Sequence, residues 1–317
     1  MRIIVTGGAG FLGSHLCDKL IEQGNQVICI DNLLTGDIAN INHLQNSPDF
    51  QFVEADAVEA FPQDLDFDAL YHLASPASPN KNNPKSYQAL PFDTMQVNTF
   101  GTWNLCEETL ARGAKFLFAS TSEVYGDPLE HPQKEAYNGN VSTTGPRSVY
   151  DESKRFGETI TQAYVNYNKL DGRIIRIFNT YGPRMASDGR VVIEFVKAAL
   201  NNKPFPIFGD GTQTRSFMFV SDLIDGIIAA MDKGDKGEIY NLGNPNEFTL
   251  LELADVVKKL TGSTSEVSFV DRMPVDDPKR RCPDITKAKE KFGWEPKVQL
   301  EEGLKKLIVY LQTVSAS

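Results

Sequence analysis

Thr6-Gly7-Gly8-Ala9-Gly10-Phe11-Leu12-Gly13 follows the apolar run Ile3-Ile4-Val5 and precedes Leu16, Leu20 and Ile21, which recur at helical spacing. Strand, glycine-rich turn and helix in that order are what a dinucleotide pyrophosphate needs. Glycines let the backbone approach, and a helix N-terminus offers free N–H groups and positive potential. A lone glycine fingerprint is weak, but here a second apolar run, Val27 to Ile30, ends on Asp31, 18 positions past Gly13. A carboxylate there accepts hydrogen bonds from the adenosine ribose and repels a 2′-phosphate. The expected cofactor is NAD rather than NADP.

The β/α alternation continues, which predicts an α/β protein with a parallel sheet. Phe50-Gln51-Phe52-Val53 leads to Asp56, and Ala69-Leu70-Tyr71-His72-Leu73 leads to Ala74-Ser75-Pro76. Asp56, at a strand end, is placed to accept from the adenine amino group or to be an exposed turn residue. His72 lies inside an apolar strand with no second histidine at metal spacing, so a hydrogen-bonded core histidine is expected. Asn80 to Pro91 is rich in Asn, Lys and Pro and reads as a surface loop. After Gly182-Pro183 the alternation loosens. Helices are expected at 191–200, 222–231, 249–260, 284–292 and 300–311, with a strand at 239–241. Residues 1–180 are read as the dinucleotide-binding domain, with elements near 221–243 returning to it, and 181–317 mainly as a substrate domain.

Two stripes, Met95-Phe100-Trp103-Cys106-Leu110 and Phe156-Ile160-Ala163-Tyr164-Tyr167, predict amphipathic helices near 94–112 and 150–167. They are candidates for a homodimer face, and packing against the sheet gives the same pattern. Between them, Ser120-Thr121-Ser122-Glu123 follows the apolar run Lys115 to Ala119, and Tyr150-Asp151-Glu152-Ser153-Lys154 follows 27 residues after Glu123. Tyr150 and Lys154, four apart, share one helix face. An ammonium beside a phenol favours phenolate and pulls its pKa from about 10 toward neutrality, making a base for a sugar hydroxyl. The alternative is a surface tyrosine with a solvated lysine.

A net charge of −10 argues against a nucleic-acid surface. Cys17, Cys29, Cys106 and Cys282 contain no C-x-x-C pair, so buried thiols rather than a metal site are expected. The chain opens directly on a strand and lacks the ~18-residue apolar run of a membrane span. A cytoplasmic protein without membrane contact is expected.

The glycine turn, Asp31, the Ser-Glu after the fifth strand and Tyr150-x-x-x-Lys154 together resemble the extended short-chain dehydrogenase/reductase family, which reworks nucleotide sugars. The similarity covers essentially the whole chain. Further stretches resemble its UDP-glucuronate decarboxylase branch: Asp31-Asn32-x-x-Thr35-Gly36, His72 to Pro79, Ser120 to Pro128, Gly145-Pro146-Arg147, Tyr150 to Arg155, Arg176 to Met185, and Asp276 to Ile285. Two departures stand out. Position 153 is Ser rather than Gly, and the loop after Pro79 is several residues longer and lacks the usual tyrosine-rich stretch. The segment Asn140 to Thr144 also differs.

The resemblance implies a Rossmann-type doubly wound parallel sheet with a smaller, interleaved C-terminal substrate-binding domain. It implies NAD held by Gly7, Gly10, Phe11, Leu12, Gly13, Asp31, Asn32, Leu34, Thr35, Gly36, Asp56, Ala57, Leu73, Ala74, Ser75, Tyr150, Lys154 and Thr180. It implies Thr121, Ser122, Glu123, Tyr150 and Lys154 as the catalytic group, and Ser122, Glu123, Asn179, Arg184, Arg190, Arg215 and Arg281 around a UDP-sugar. For each arginine the alternative is a surface ion pair. The implied reaction oxidises C4 of UDP-glucuronate, loses carbon dioxide from the 4-keto sugar and returns the hydride, giving UDP-xylose. Ser122 is a poor acid for the water loss of a 4,6-dehydratase, which carries Asp there, and a 4-epimerase usually lacks Glu123. The rivals are a 4-epimerase, a 4,6-dehydratase and a non-catalytic NAD-binding sensor.

Overall fold

The computed structural model describes residues 1–59, 65–270 and 280–316. In chain order its elements are β1 (Arg2–Thr6), α1 (Phe11–Glu22), β2 (Gln26–Asp31), β3 (Phe50–Glu54), β4 (Ala69–His72), α2 (Pro91–Gln96), α3 (Thr102–Ala111), β5 (Lys115–Thr121), α4 (Ser148–Asn168), β6 (Asp171–Ile177), β7 (Thr180–Tyr181), α5 (Val191–Leu200), β8 (Phe205–Phe208), β9 (Thr214–Ser216), β10 (Met218–Phe219), α6 (Val220–Lys233), β11 (Ile239–Leu242), β12 (Glu247–Thr249), α7 (Leu250–Thr261), β13 (Val267–Val270), β14 (Arg280–Arg281), α8 (Thr286–Phe292) and α9 (Leu300–Ala316). Positions 276–279 of the C-terminal motif lie outside the described residues.

Among the described residues, seven parallel strands pair in the order β3-β2-β1-β4-β5-β6-β11. The strand order reverses between β1 and β4. The glycine turn leaves β1 at that switch point, the place where open sheets of this kind take ligands. Strands buried on both faces read as continuous apolar runs, and β4 is buried at all four positions. β11 joins β6 from late in the chain. One apolar cluster runs from Ile3 to Leu311, so the C-terminal helices share a core with the sheet. Smaller sheets, β10-β7, β12-β9-β14 and β13-β8, build the C-terminal part.

His72 is the expected core histidine: Thr6 Oγ1 lies 2.8 Å from Nδ1 and Val97 O lies 3.3 Å from Nε2. Burial holds its pKa down to about 3, so the ring is neutral. All four cysteines are buried and unpaired in disulfides.

The helix expected near 94–112 starts earlier, at Pro91, whose missing N–H costs nothing in a first turn. A π segment over Val97–Gly101 interrupts it before α3. There it meets α4 closely, since a Cβ on Gly157 would come 2.7 Å from Asn98 O. Asn98 Nδ2 donates to Ser153 Oγ at 3.0 Å, and Ser153 Oγ donates to Tyr150 O at 3.0 Å. The serine at position 153 thus ties the two helices together just behind Tyr150.

The segment 80–91 corrects the surface-loop reading. Asn80 and Asn83 do form solvent-side turns. However, Ser86 bridges back to Ser78, and Ser86 and Tyr87 are fully buried. A phenol ring in a polar stretch finds an apolar surface to cover, and that surface is the ring of Tyr150.

Candidate active site

Gly10 caps α1 in an extended conformation without a side-chain bond, and the first turn has no acidic residue. The first-turn amides around Phe11 and Leu12 are thereby left to an anionic ligand. The three glycines do different work. Gly7 has φ +73°, and a Cβ there would lie 2.7 Å from Ala74 Cα; one on Gly13 would lie 2.1 Å from Gly7 O. Both serve close packing of the turn against residues 73–75 and against α1. At Gly10 a Cβ would meet just Gly7 O, at 3.1 Å, so this glycine keeps the approach to the helix end open.

Asp31 at the end of β2 accepts from Ala9 N at 3.0 Å and Leu33 N at 2.8 Å. Burial raises its pKa, and the two amides oppose that. A Cβ on Gly36 would sit 2.8 Å from Asp31 Oδ1, so Asn32, Leu34, Thr35 and Gly36 curl around the carboxylate. Asp56 accepts from Asn32 Nδ2 and Val58 N, both at 2.9 Å, beside buried Ala57. Leu73 N donates to Thr6 O at 3.1 Å, carrying Ala74 and Ser75 past the glycine turn. These residues converge at the carboxyl ends of β1 to β4, and they fit a dinucleotide with a free ribose 2′-hydroxyl. Thr180 opens β7, its hydroxyl donated to Phe178 O at 3.0 Å.

Tyr150 and Lys154 sit in the first turns of α4, both buried. Lys154 Nζ donates to Ala119 O at 2.8 Å, lies 4.9 Å over the Phe118 ring and is 5.9 Å from the Tyr150 ring centroid. Burial lowers its pKa to about 7 against the opposing charge of Glu158. The expected pull of Tyr150 toward neutrality is reversed: burial and the nearby Glu123 raise the phenol, against a hydrogen bond with Thr121. The physical reason is that burial strips the phenol of water beside the Glu123 carboxylate, while the ammonium is directed at the Ala119 carbonyl. Thr121 Oγ1 also accepts from Glu123 N at 3.2 Å, fixing the turn that carries buried Ser122 and Glu123.

Glu123 is the centre of a charged cluster. Arg147 Nη2 donates to Oε1 at 2.6 Å and Nε to Oε2 at 3.3 Å; Arg281 Nη1 lies 3.6 Å from Oε1; the Tyr87 hydroxyl donates to Oε2 at 3.5 Å. Burial alone raises this carboxyl, but the two guanidiniums prevail and hold it down at about 2. Asp151, hydrogen-bonded to Glu123, goes the other way, pushed up to about 9 by burial and then by the Glu123 charge. Tyr87, Arg147 and Asp151 had no role in the sequence reading. For Arg147 and Asp151 the signal was there, in Gly145-Pro146-Arg147 and Tyr150-Asp151. Tyr87 had none, being masked by the composition of its loop.

The structure separates the expected arginines. Arg281 reaches Glu123, and its β14 neighbour in register on β9 is Arg215; Arg215 Nη1 donates to Thr214 O at 2.8 Å. Arg190, at the start of α5, is held by Asp188 at 2.9 Å, close enough to Tyr150 to act on its charge. Arg184 pairs with Asp18 of α1 at 2.7 Å, and Asn179 O accepts from Met218 N at 3.0 Å. The fold also gathers His131, Glu247 and Cys282, donor atoms within 4.8 Å of one another, which no sequence spacing predicted. There His131 Nε2 and Glu247 Oε2 meet at 2.8 Å and the Cys282 thiol donates to Pro245 O.

A doubly wound sheet whose switch point carries an open glycine turn, with a buried Tyr-Lys pair beside it, defines a dinucleotide-dependent oxidoreductase scaffold. Residues 3–243 match the model of the NAD dependent epimerase/dehydratase family, and the chain belongs to that family. It is 51% identical over 309 residues to UDP-glucuronic acid decarboxylase 1 of Arabidopsis thaliana, covering 97% of this chain and 69% of that protein. It is 47% identical over 312 residues to UDP-glucuronic acid decarboxylase 1 of Xenopus tropicalis, covering 98% and 72%. Among solved structures it resembles UDP-glucuronic acid 4-epimerase from Bacillus cereus in complex with UDP-glucuronic acid and NAD, with TM-score 0.87, 31% identity and coverage of 99% and 100%. No helix among the described residues is long and apolar enough to cross a membrane.

Proposed function

We propose that this protein is an NAD-dependent UDP-glucuronate decarboxylase that makes UDP-xylose through a 4-keto intermediate. The observation that carries the reading is Glu123, held ionised by Arg147 and Arg281 beside Tyr150 and immediately after Ser122. About half of all residues match decarboxylases along nearly the whole chain, which sets this reading above the 4-epimerase one.

When bound, NAD⁺ supplies the hydride acceptor and afterwards the donor. Gly7, Gly10 and Gly13 with the α1 amides would hold its pyrophosphate, Asp31 its ribose, and Asp56 and residues 73–75 its flanks. Tyr150, oriented by Thr121, takes the proton of the sugar 4-hydroxyl as phenolate, the form that the positive nicotinamide ring of bound NAD⁺ would favour against the burial that raises the phenol, and returns it at the end. Lys154 holds Tyr150 in place from the same helix face. The 4-ketone puts the C5 carboxylate β to a carbonyl, so carbon dioxide leaves to give an enolate. Arg281 acts by charge, since a guanidinium does not readily give up a proton. Arg215 and Arg281 face the diphosphate or the carboxylate as neighbours, and Arg184, Arg190 and Asn179 border the same nucleotide-sugar site. The dinucleotide lies on 1–180 with α6 and β11, and the sugar lies against 181–317.

The reading extends to a cytoplasmic homodimer. Phe92, Met95, Phe100 and Phe156 are exposed and line a groove of about 440 Å³ between α2 and α4, an apolar face that suits a second copy across a two-fold axis.

The test is incubation with UDP-glucuronate, reading mass and carbon dioxide. UDP-xylose and carbon dioxide without accumulating NADH are expected. UDP-galacturonate without carbon dioxide would make the protein a 4-epimerase, and no turnover with NAD bound would make it a non-catalytic binder.

A further inference from the structure

Decarboxylation of UDP-glucuronate has a proton requirement that Tyr150 does not meet. The C5–carboxylate bond breaks, its electron pair stays on the sugar as the enolate, and C5 must take up one proton before the ketone is reduced again. The proton on Tyr150 is committed to O4. One proton per carbon dioxide therefore enters from solvent, into a site where Tyr87, Tyr150, Ser122 and Glu123 are all buried.

Asp151 is a buried carboxyl that the mechanism above leaves unused. It is hydrogen-bonded to Glu123, and its Oδ1 accepts from no donor. Two carboxyl groups can share a hydrogen bond only if one carries a proton. Two guanidiniums, Arg147 and Arg281, flank Glu123, which makes it the ionised partner and Asp151 the acid. Asp151 and Arg147 also line a cavity of about 230 Å³ walled by Gly126, Asn140, Val141 and Ser142. That volume holds several waters. On one side Asp151 meets the cavity, on the other Glu123.

We propose that Asp151 is the proton relay of this enzyme, passing one proton per turnover from cavity water to Glu123, which delivers it to C5. The step balances: Asp151 gives its proton to the ionised Glu123, Glu123 hands that proton to the enolate carbon and is a carboxylate again, and cavity water, resupplied from solvent, reprotonates Asp151, one proton entering for each carbon dioxide lost. Asp151 acts through Glu123 and is a positioning and relay residue that does not touch the sugar. The inference rests on the decarboxylase reading.

The test compares the unaltered protein with Asp151→Asn and Asp151→Glu, loaded with NAD⁺ and given UDP-glucuronate in H₂O and D₂O. Asparagine keeps a donor toward Glu123 but has no proton to relay. With general acid–base steps contributing about 10²–10⁴-fold, kcat of Asp151→Asn should fall about 100-fold with KM little changed, the solvent isotope effect on kcat should rise, and Asp151→Glu should recover part of the rate. A kcat and isotope effect equal to those of the unaltered protein overturn the proposal. Should Asp151→Asn fail to bind NAD⁺, Ser142→Phe, which plugs the cavity from its exposed rim, decides instead. A lower kcat with a larger isotope effect supports the relay, and unchanged values overturn it. Absence of carbon dioxide from the unaltered protein would refute the decarboxylase reading itself, a distinct result.

Discussion

The ring of Tyr87 lies flat on the ring of Tyr150, centroids 4.8 Å apart and planes 9° from parallel. The stack comes from a loop, and it holds the phenol in addition to the hydrogen bond with Thr121. Stacked aromatic pairs contribute about 0.5–1.5 kcal/mol beyond area burial, enough to hold one rotamer. Tyr87→Ala should lower kcat about tenfold with a much smaller effect on NAD⁺ affinity, since among the residues assigned to the cofactor it is Tyr150 that Tyr87 stacks on. Tyr87→Phe should stay near the unaltered rate, because its 3.5 Å bond to Glu123 is long. Steady-state kinetics with NAD⁺ titration measure both, and an unaffected kcat in Tyr87→Ala would reduce the stack to packing.

Which parts of this were legible in the sequence follows from how local each signal is. β1, the glycine turn, α1 and Asp31 are adjacent in the chain, and their pattern sufficed for the sheet and the dinucleotide side. Tyr150 and Lys154 share a helix face by spacing alone. By contrast, the ionised state of Glu123 depends on Arg147, 24 residues later, and Arg281, 158 later, and no periodicity joins them. The inverted electrostatics of Tyr150 and Lys154 likewise came from burial, which spacing does not report. Tyr87 was hidden by polar neighbours whose solvent-side turns are real.

Lys154 gives a pH dependence with a definite sign. Its pKa is 10.5 ordinarily and about 7 in the fold, lowered by burial. Between those values the unfolded chain holds a proton that the folded chain does not, so this group makes stability rise with pH from 7 to 10.5. Below pH 7 the buried ammonium carries its full desolvation penalty. Lys154→Met should therefore be more stable than the unaltered protein at pH 6.5, with the gap closing as pH rises toward 10. Urea midpoints of both proteins across that range check it; a gap that does not change with pH would mean Lys154 is not the titrating group.

The apolar face along α2 and α4 predicts a subunit boundary. Phe100 is 66% and Phe156 53% exposed, and a charge at both positions sets like charges against each other across a two-fold axis. Phe100→Asp with Phe156→Asp should halve the mass seen by light scattering and leave the fold intact, because neither side chain belongs to the buried core. An unaltered protein that is monomeric at micromolar concentration would remove the dimer from the account.

Two buried carboxylate–guanidinium clusters sit about α4, and they should fail in different ways. Glu158 accepts from Ser120 Oγ at 2.6 Å, Arg176 Nε at 2.9 Å and Arg176 Nη2 at 2.7 Å, while Arg176 also donates to the Tyr125 hydroxyl at 3.0 Å. This network binds β5, β6 and α4 behind the site. Removing one partner of such a pair leaves a buried charge uncompensated, at a cost of about 3–5 kcal/mol, so Glu158→Gln should lower the melting temperature with kcat little changed once folded. Glu123→Gln also strands two guanidiniums, Arg147 and Arg281, but these border the proposed sugar site, where an anionic ligand can take the carboxylate's place. UDP-glucuronate binds both folded variants and should raise both melting temperatures by mass action, but that of Glu123→Gln by more, because its charge meets the stranded guanidiniums there. Turnover should behave oppositely, falling at least 100-fold for Glu123→Gln with KM no higher, because charge and proton delivery are lost while shape is kept. Thermal melts with and without UDP-glucuronate, set beside initial rates, separate the two. Equal rescue of both variants, or full activity in Glu123→Gln, would leave Glu123 as framework.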